Sequence, residues 1–168
     1  MVHCVTKSAI VDHEPKGEKD GARQAVFVGT FKHCLDPKKR LTIPSEWREQ
    51  TGSGSGLYVL PDVTSRCLCV FPASEMSRRL EKIRDHSISD RKARQFARAL
   101  ASRSDLVTWD SQGRIRIKDE LLAFADLQGD VVMVGTFHSF ELWSPAHFEK
   151  EVAPDEADIR EAARYVGF

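Results

Sequence analysis

The alternation of apolar and polar residues predicts short β-strands in the first half of the chain. In chain order we expect strands at 26–35, 40–43, 57–60 and 67–71, with a short helix at 45–50. Pro44 ends the second strand, because proline cannot donate to a sheet ladder. A glycine- and serine-rich connector, 52–56, separates the short helix from the third strand.

A pair of helices follows, because the pattern changes there to the period of an amphipathic helix. The first helix is predicted over 73–84, and the second begins after Ser89, a candidate N-cap. The residues expected to face inward are Met76, Leu80, Ile83, Ala93, Phe96, Ala97 and Leu100.

The second half repeats the order of the first. We expect strands at 105–109, 114–117, 131–135 and 139–143, and helices at 119–124 and about 155–165. Ser144-Pro145 has the form of an N-cap followed by a proline in the first helical turn. Residues 1–24 show no periodic apolar pattern and are expected to form a mobile leader.

An internal repeat underlies this order. The segment Asp36-Pro-Lys-Lys-Arg40-Leu-Thr-Ile43 aligns with Asp110-Ser-Gln-Gly-Arg114-Ile-Arg-Ile117 at an offset of 74 residues. Two copies are too few for a solenoid, which needs about three repeats to bury a continuous core. We therefore expect one intertwined unit whose two halves share a core.

The repeated Asp-x-x-x-Arg motif predicts a turn fixed by its own side chains. The Asp carboxylate accepts backbone N–H groups further along the turn, and the Arg returns within reach of it. Gly113 supplies positive φ in the second copy, whereas Lys39 takes that place in the first, at roughly 1 kcal/mol if the backbone is left-handed. We predict that Lys39→Gly keeps or raises stability while weakening polyanion binding. Taken alone, the motif also fits a purely structural hairpin.

Charge is segregated along a chain whose 25 basic and 25 acidic residues cancel. Residues 25–103 carry fifteen Lys and Arg against eight acidic residues, and 104–168 carry six against thirteen. This asymmetry indicates a polyanion-facing half, or two faces that attract one another between copies of the chain. The apolar runs are too short for a membrane span, and four irregularly spaced cysteines are typical of a reducing compartment.

These motifs resemble the MraZ family of bacterial transcriptional regulators, which has two tandem AbrB/SpoVT-type units. The resemblance covers about 26–150 and rests on the doubled Asp-x-x-x-Arg, the Ile-Pro after the first copy, Phe140-Glu-Leu-Trp143 after the second, and the helical pair between them. It implies an α+β fold, a swapped, split β-barrel of short strands from two internal repeats with peripheral helices. The implied units are a leader (1–24), two repeats (30–77 and 104–148), a basic helical linker (78–103) and a C-terminal helix (149–168).

The resemblance also implies a function. It predicts a ring-shaped homo-oligomer, cytoplasmic and nucleoid-associated, that binds direct repeats in promoter DNA upstream of the division and cell-wall gene cluster and represses it. Arg40 matches the residue most tied to DNA binding in that family. The predicted DNA contacts are Lys38, Lys39, Arg40, Lys32, Arg114 and Arg116. The residues predicted to shape the turns are Asp36, Asp110 and Gly113.

Three features depart from the family pattern. Lys39 stands where the first motif usually carries glycine, and Phe27-Val28-Gly29 lies behind a leader of about 25 residues instead of close to the initiator Met. The linker helices are also unusually basic. Their cations either form solvated helix faces or contact an acidic neighbouring subunit.

The remaining candidate chemistry favours no enzyme, cofactor, metal or small-molecule substrate. His33 and Cys34 lie on opposite faces of a strand, and Cys67-x-Cys69 lacks the spacing of a zinc site. The loop 52–56 lacks the Lys-Ser/Thr ending of a phosphate loop. Two alternatives to a DNA-binding regulator stay open: an oligomeric protein-interaction scaffold without DNA, and an AbrB-like antitoxin.

Overall fold

The computed structural model describes residues 25–51, 56–85, 89–151 and 156–168. Eight strands and six helices lie in these ranges, and the fold is of the expected α+β class. The strands are β1 Thr30–Cys34, β2 Arg40–Thr42, β3 Leu57–Pro61, β4 Leu68–Pro72, β5 Asp105–Val107, β6 Arg114–Arg116, β7 Asp130–Gly135 and β8 Phe140–Trp143. The helices are α1 Ser45–Thr51, α2 Ala73–Arg84, α3 Arg91–Arg103, α4 Asp119–Phe124, α5 Pro145–Glu151 and α6 Glu156–Val166.

Four of the six strand pairs join a strand of the first half to a strand of the second: β1–β7, β2–β6, β3–β5 and β4–β8. The larger sheet has six strands in the order β1-β7-β8-β4-β3-β5, and the smaller one pairs β2 with β6. All of these pairs are antiparallel. Because β1, β4 and β3 of the first half each lie beside a strand of the second half, both halves build one sheet.

The core lies between the larger sheet and the small β2–β6 ladder. At the centre of that ladder Leu41 faces Ile115, and both are fully buried. Trp47 of α1 is 1% exposed and packs against aromatic rings at centroid distances of 4.8–5.5 Å. The rings around it are Phe27, Phe31 and Phe140. The small ladder therefore packs, through Leu41 and Ile115, on the same core as these aromatic side chains, and this core fixes the turns at the ends of the ladder.

The structure corrects two details of the sequence prediction. The N-cap of α3 is Asp90 and not Ser89, because the Asp90 carboxylate accepts the backbone N–H groups of Lys92 and Ala93. Phe96 was expected to face inward, but it is 49% exposed and lies beside a surface groove. The predicted leader 1–24 and most of the connector 52–56 lie outside the described residues.

Candidate nucleic-acid interface

The first Asp-x-x-x-Arg turn, which joins β1 to β2, is fixed by the Asp36 carboxylate. Its Oδ1 accepts the backbone N–H of Lys38 at 2.8 Å and that of Arg40 at 2.9 Å. Its Oδ2 accepts the Arg40 Nε–H at 2.7 Å and lies 2.6 Å from Arg40 Nη2. One side chain therefore orders both the backbone of the turn and the guanidinium that follows it.

The second turn repeats this network almost atom for atom. Asp110 Oδ1 accepts the backbone N–H of Gln112 at 2.9 Å and that of Arg114 at 3.0 Å. Its Oδ2 accepts Arg114 Nε–H at 2.9 Å and Nη2–H at 2.7 Å. The sequence repeat is thus a repeat of geometry.

The pairing of β2 with β6 brings the two turns together. Arg40 lies opposite Arg116 in the ladder, and Thr42 lies opposite Arg114. As a result each guanidinium approaches the carboxylate of the other turn, with Arg40 Nη1 3.8 Å from Asp110 Oδ2 and Arg114 Nη1 4.0 Å from Asp36 Oδ2. The two turns form one four-charge cluster in which the signs alternate.

This cluster keeps both carboxylates ionised. The hydrogen bond from the Arg40 side chain lowers the pKa of Asp36, and the one from the Arg114 side chain lowers the pKa of Asp110 to about 2. Arg40 and Arg114 have side chains only 28% and 24% exposed. In this conformation the geometry favours a positioning role for Arg40, since its Nε and Nη2 are already bound to Asp36.

The tip of the first turn carries two exposed lysines. Lys38 and Lys39 are both exposed, and Lys39 has a φ of +61°, close to the +75° of Gly113 at the equivalent position. Lys39 therefore adopts the left-handed conformation that glycine normally occupies. Arg116 supports this tip from the neighbouring strand, because its Nη1 donates to the Lys38 carbonyl at 3.0 Å.

The second turn differs from the first in charge and in the burial of the position equivalent to Lys39. It carries Ser111 and Gln112 where the first turn has proline and lysine, and Gly113 is buried beneath the side chain of Arg48. A Cβ at Gly113 would lie 2.5 Å from Arg48 Cζ. Arg48 is held there by a 3.1 Å hydrogen bond from its Nε to the Ile43 carbonyl.

Sequence reasoning missed Arg48. The signal was present but weak, because an offset of 74 residues aligns Arg48 with Leu122, so an arginine replaces a buried leucine between the two copies. Only the fold shows that this arginine covers the opposite turn.

Five of the six predicted DNA contacts lie in the two turns and the small ladder, and Lys32 does not. Lys32 is exposed on β1, in the larger sheet, where it pairs with Val132 of β7. It lines a cavity of about 440 Å³ together with His33, Cys34 and residues of α5. The structure therefore places Lys32 in a different sheet from the cationic tip.

Metal clusters and membrane-spanning helices are both absent from the described part of the chain. Within 25–51, 56–85, 89–151 and 156–168, His, Cys, Asp and Glu form no group that could hold a metal ion. Among the same residues, no helix has the length and apolar character that crossing a bilayer requires. Cys67 and Cys69, at 1% and 8% exposed, are core residues.

The fold and the site define a class of protein: an intertwined, tandem-repeat α+β unit in which two Asp-x-x-x-Arg turns share one charge cluster and one turn presents a cationic tip. A family model described as "MraZ protein, putative antitoxin-like" matches this chain twice, over residues 26–99 and 100–166. The chain therefore belongs to the MraZ family, as the sequence motifs indicated.

Individual relatives support the same assignment. The chain is 37% identical to the transcriptional regulator MraZ of Thermomicrobium roseum over 123 residues, which is 73% of this chain and 84% of the relative. It is 35% identical to the protein of that name from Halothermothrix orenii, over 71% of this chain and 81% of the relative. The Clostridium acetobutylicum protein of that name is 31% identical, over 80% of this chain and 90% of the relative.

Proposed function

We propose that this chain is a DNA-binding transcriptional regulator whose first turn docks on the duplex. The observation that carries the proposal is the exposed Lys38–Lys39 tip on a turn fixed by Asp36 and Arg40. Lysines bind phosphates as point charges, and a tip whose backbone is already ordered loses little entropy when it docks. The names of its relatives and its family membership support regulation of transcription as the outcome.

In this proposal the residues divide by role. Lys38 and Lys39 contact phosphates directly, and Arg116 adds a cation beside them while supporting the Lys38 carbonyl. Arg40 holds the tip through Asp36, and Arg114 does the same for the second turn. The turn that Arg48 covers is a structural counterpart and makes no base contact.

Affinity in this proposal comes from several copies acting together. One tip with two or three cations binds weakly and with a strong salt dependence. A ring of subunits that presents one tip to each of several promoter direct repeats gains affinity through effective concentration. We propose that the ring occludes polymerase upstream of the division and cell-wall gene cluster, and that the protein acts in the cytoplasm at the nucleoid.

We also propose the finer architecture that the family resemblance implies. The two sheets form a swapped, split β-barrel, with units at 30–77 and 104–148 joined by the basic linker 78–103 and followed by the C-terminal region 149–168. The pairing of strands across the two halves supports this arrangement.

A gel shift with a matched control tests the function. The probe is the DNA upstream of the protein's own gene, with a scrambled duplex as competitor. We expect Lys38→Ala/Lys39→Ala to abolish the specific shift, and Ser111→Ala/Gln112→Ala on the second turn to leave it unchanged. Arg40→Ala should also abolish the shift without unfolding the protein, because the tip loses its support.

The two alternatives predict other results. If the protein is a scaffold, neither pair of substitutions alters DNA retention and the wild type does not prefer its own upstream region. If it is an AbrB-like antitoxin, DNA binding occurs but depends on a partner toxin rather than on several copies of this chain.

A further inference from the structure

An open apolar groove lies between α2, α3 and the edge of the larger sheet. Its cavity measures about 400 Å³ and is lined mainly by aliphatic side chains. A second cavity of about 350 Å³ adjoins it and shares Leu80, Ile83 and Leu100. Leu106 of the edge strand β5 borders the groove and is 57% exposed. A continuous apolar surface of this kind is typical of a binding site for another apolar element.

Helix α3 lines the groove with apolar residues and carries its cations outside that lining. The lining itself holds both signs, with Arg79 and Lys82 against Asp62 and Asp105. Helix α3 carries five cations and no carboxylate: Arg91, Lys92, Arg94, Arg98 and Arg103. A solvated helix usually mixes both signs, because i,i+4 pairs of opposite charge stabilise it. The occupant that suits this groove is therefore apolar on the contact face and acidic beside it.

Helix α6 has this character. Ile159, Ala162, Ala163 and Val166 follow the i, i+3, i+4, i+7 spacing and form one apolar stripe. Ile159 is 54% exposed and Val166 72% exposed, so the described residues leave the stripe open.

Acidic residues lie beside the apolar stripe of α6, and the helix has a defined C-terminal end. Asp158 lies beside the stripe on the helical wheel, and Glu156 and Asp158 make the first turn acidic. The helix ends with Gly167 at a φ of +76° and a hydrogen bond from the Phe168 N–H to the Ala163 carbonyl. A helix of 11 residues is marginal by itself in water even with its C-terminus capped, so its apolar stripe needs a partner.

We infer that α6 of one copy docks its apolar stripe into the α2–α3 groove of a second copy. This inference rests on the proposed self-association and names the surface that carries it. The groove and the stripe are both open on the same chain, they match in apolar character, and the basic α3 meets the acidic first turn of α6. Because each copy offers one groove and one stripe, the contact is head to tail, and repetition of it closes a ring when the rotation allows.

The first test is the mass of the protein in solution without DNA, measured by sedimentation. Ile159→Asp places a charge in the stripe and should weaken association at least about tenfold. Ala157→Asp places the same group on the opposite face of α6 and, because it only adds to the acidic first turn, should not weaken association. Wild-type protein that is a strict monomer, or Ile159→Asp protein that associates like the wild type, would overturn the inference.

The second test is complementation between two variants. Ala97→Glu obstructs the groove without touching α6, and should give a monomer as Ile159→Asp does. A mixture of the two variants retains one intact stripe and one intact groove, so we expect 1:1 dimers that grow no further. Two monomers that stay apart would show that the stripe of one copy does not dock in the groove of another, which contradicts the inference.

The outcome is separate from that of the DNA proposal. The Lys38→Ala/Lys39→Ala protein should associate like the wild type, because its tip lies outside the groove. If Ala97→Glu lowers DNA binding but leaves the mass unchanged, the basic α3 serves nucleic acid and the docking inference is wrong.

Discussion

Lys39 offers a prediction in which strain and charge can be separated. Its φ of +61° places a side chain in the left-handed region, where a residue other than glycine loses about 1 kcal/mol. Lys39→Gly removes both the strain and the charge, whereas Lys39→Ala removes the charge alone. Glycine also makes the unfolded chain more flexible, which lowers the free energy of unfolding. We therefore expect Lys39→Gly to be more stable than Lys39→Ala by between zero and about 1 kcal/mol.

The measurements follow from these magnitudes. For a domain of this size, 1 kcal/mol shifts Tm by roughly 2–4 °C, so Lys39→Gly should melt up to about that much above Lys39→Ala in calorimetry. Both variants lose one cation per tip, so both should flatten the plot of log binding constant against log salt by about 0.9 for each phosphate that the protein no longer neutralises. A Lys39→Gly protein that melts below Lys39→Ala would refute the strain argument, and an unchanged salt slope would remove Lys39 from the DNA surface.

Three further predictions concern the turns and the core. Folding lowers the pKa of Asp110 from an ordinary 3.8 to about 2 and lowers that of Asp36 too, so on acidification these carboxylates take up protons in the unfolded chain before they do so in the folded one. In urea unfolding, the stability that they contribute should be complete above about pH 4 and lost as the pH falls towards 2. The free energy of unfolding of Asp110→Asn should fall less steeply over that range. Gly113→Ala should lower the free energy of unfolding by about 1–2 kcal/mol because of its φ of +75°, and by more because the new methyl group clashes with Arg48. In a denaturant double-mutant cycle, Arg48→Ala should recover the part of the loss that the clash causes. In the same assay, Trp47→Ala should lower the free energy of unfolding by about 3–5 kcal/mol, because the side chain is buried among three aromatic rings. A decrease below about 1 kcal/mol would contradict this packing.

Much of the fold could be predicted because the local signals were strong. The helix 73–84 was predicted with the bounds that α2 has, since its apolar stripe and the turn residues around it agree. The first strand was predicted too long, because Val26 and Val28 continue the alternation although the ladder with β7 begins only at Thr30. Alternation reports which residues face the core, and it does not show where a partner strand ends.

The site could be predicted only as far as the sequence repeat reached. The doubled motif identified the two turns, and it showed that Lys39 would be strained if the backbone there were left-handed. Both features depend on residues close in sequence. The ion pairs between the two turns join residues that are 70 and 78 positions apart, and the cover that Arg48 forms over Gly113 joins residues 65 positions apart. Contacts of that kind are set by the topology, and one sequence carries no local signal for them.

Site-specific photocrosslinking shows which turn meets DNA. A photoreactive phenylalanine analogue replaces the exposed Pro37 at the first tip in one protein and the exposed Ser111, its counterpart at the second tip, in another, so that neither protein loses a proposed phosphate contact. Each is irradiated with the DNA upstream of the protein's own gene. We expect covalent protein–DNA product from position 37 and none from position 111. Product from position 111 alone, or from neither position while the complex is shown to form, would contradict the assignment of the first tip as the surface that meets DNA.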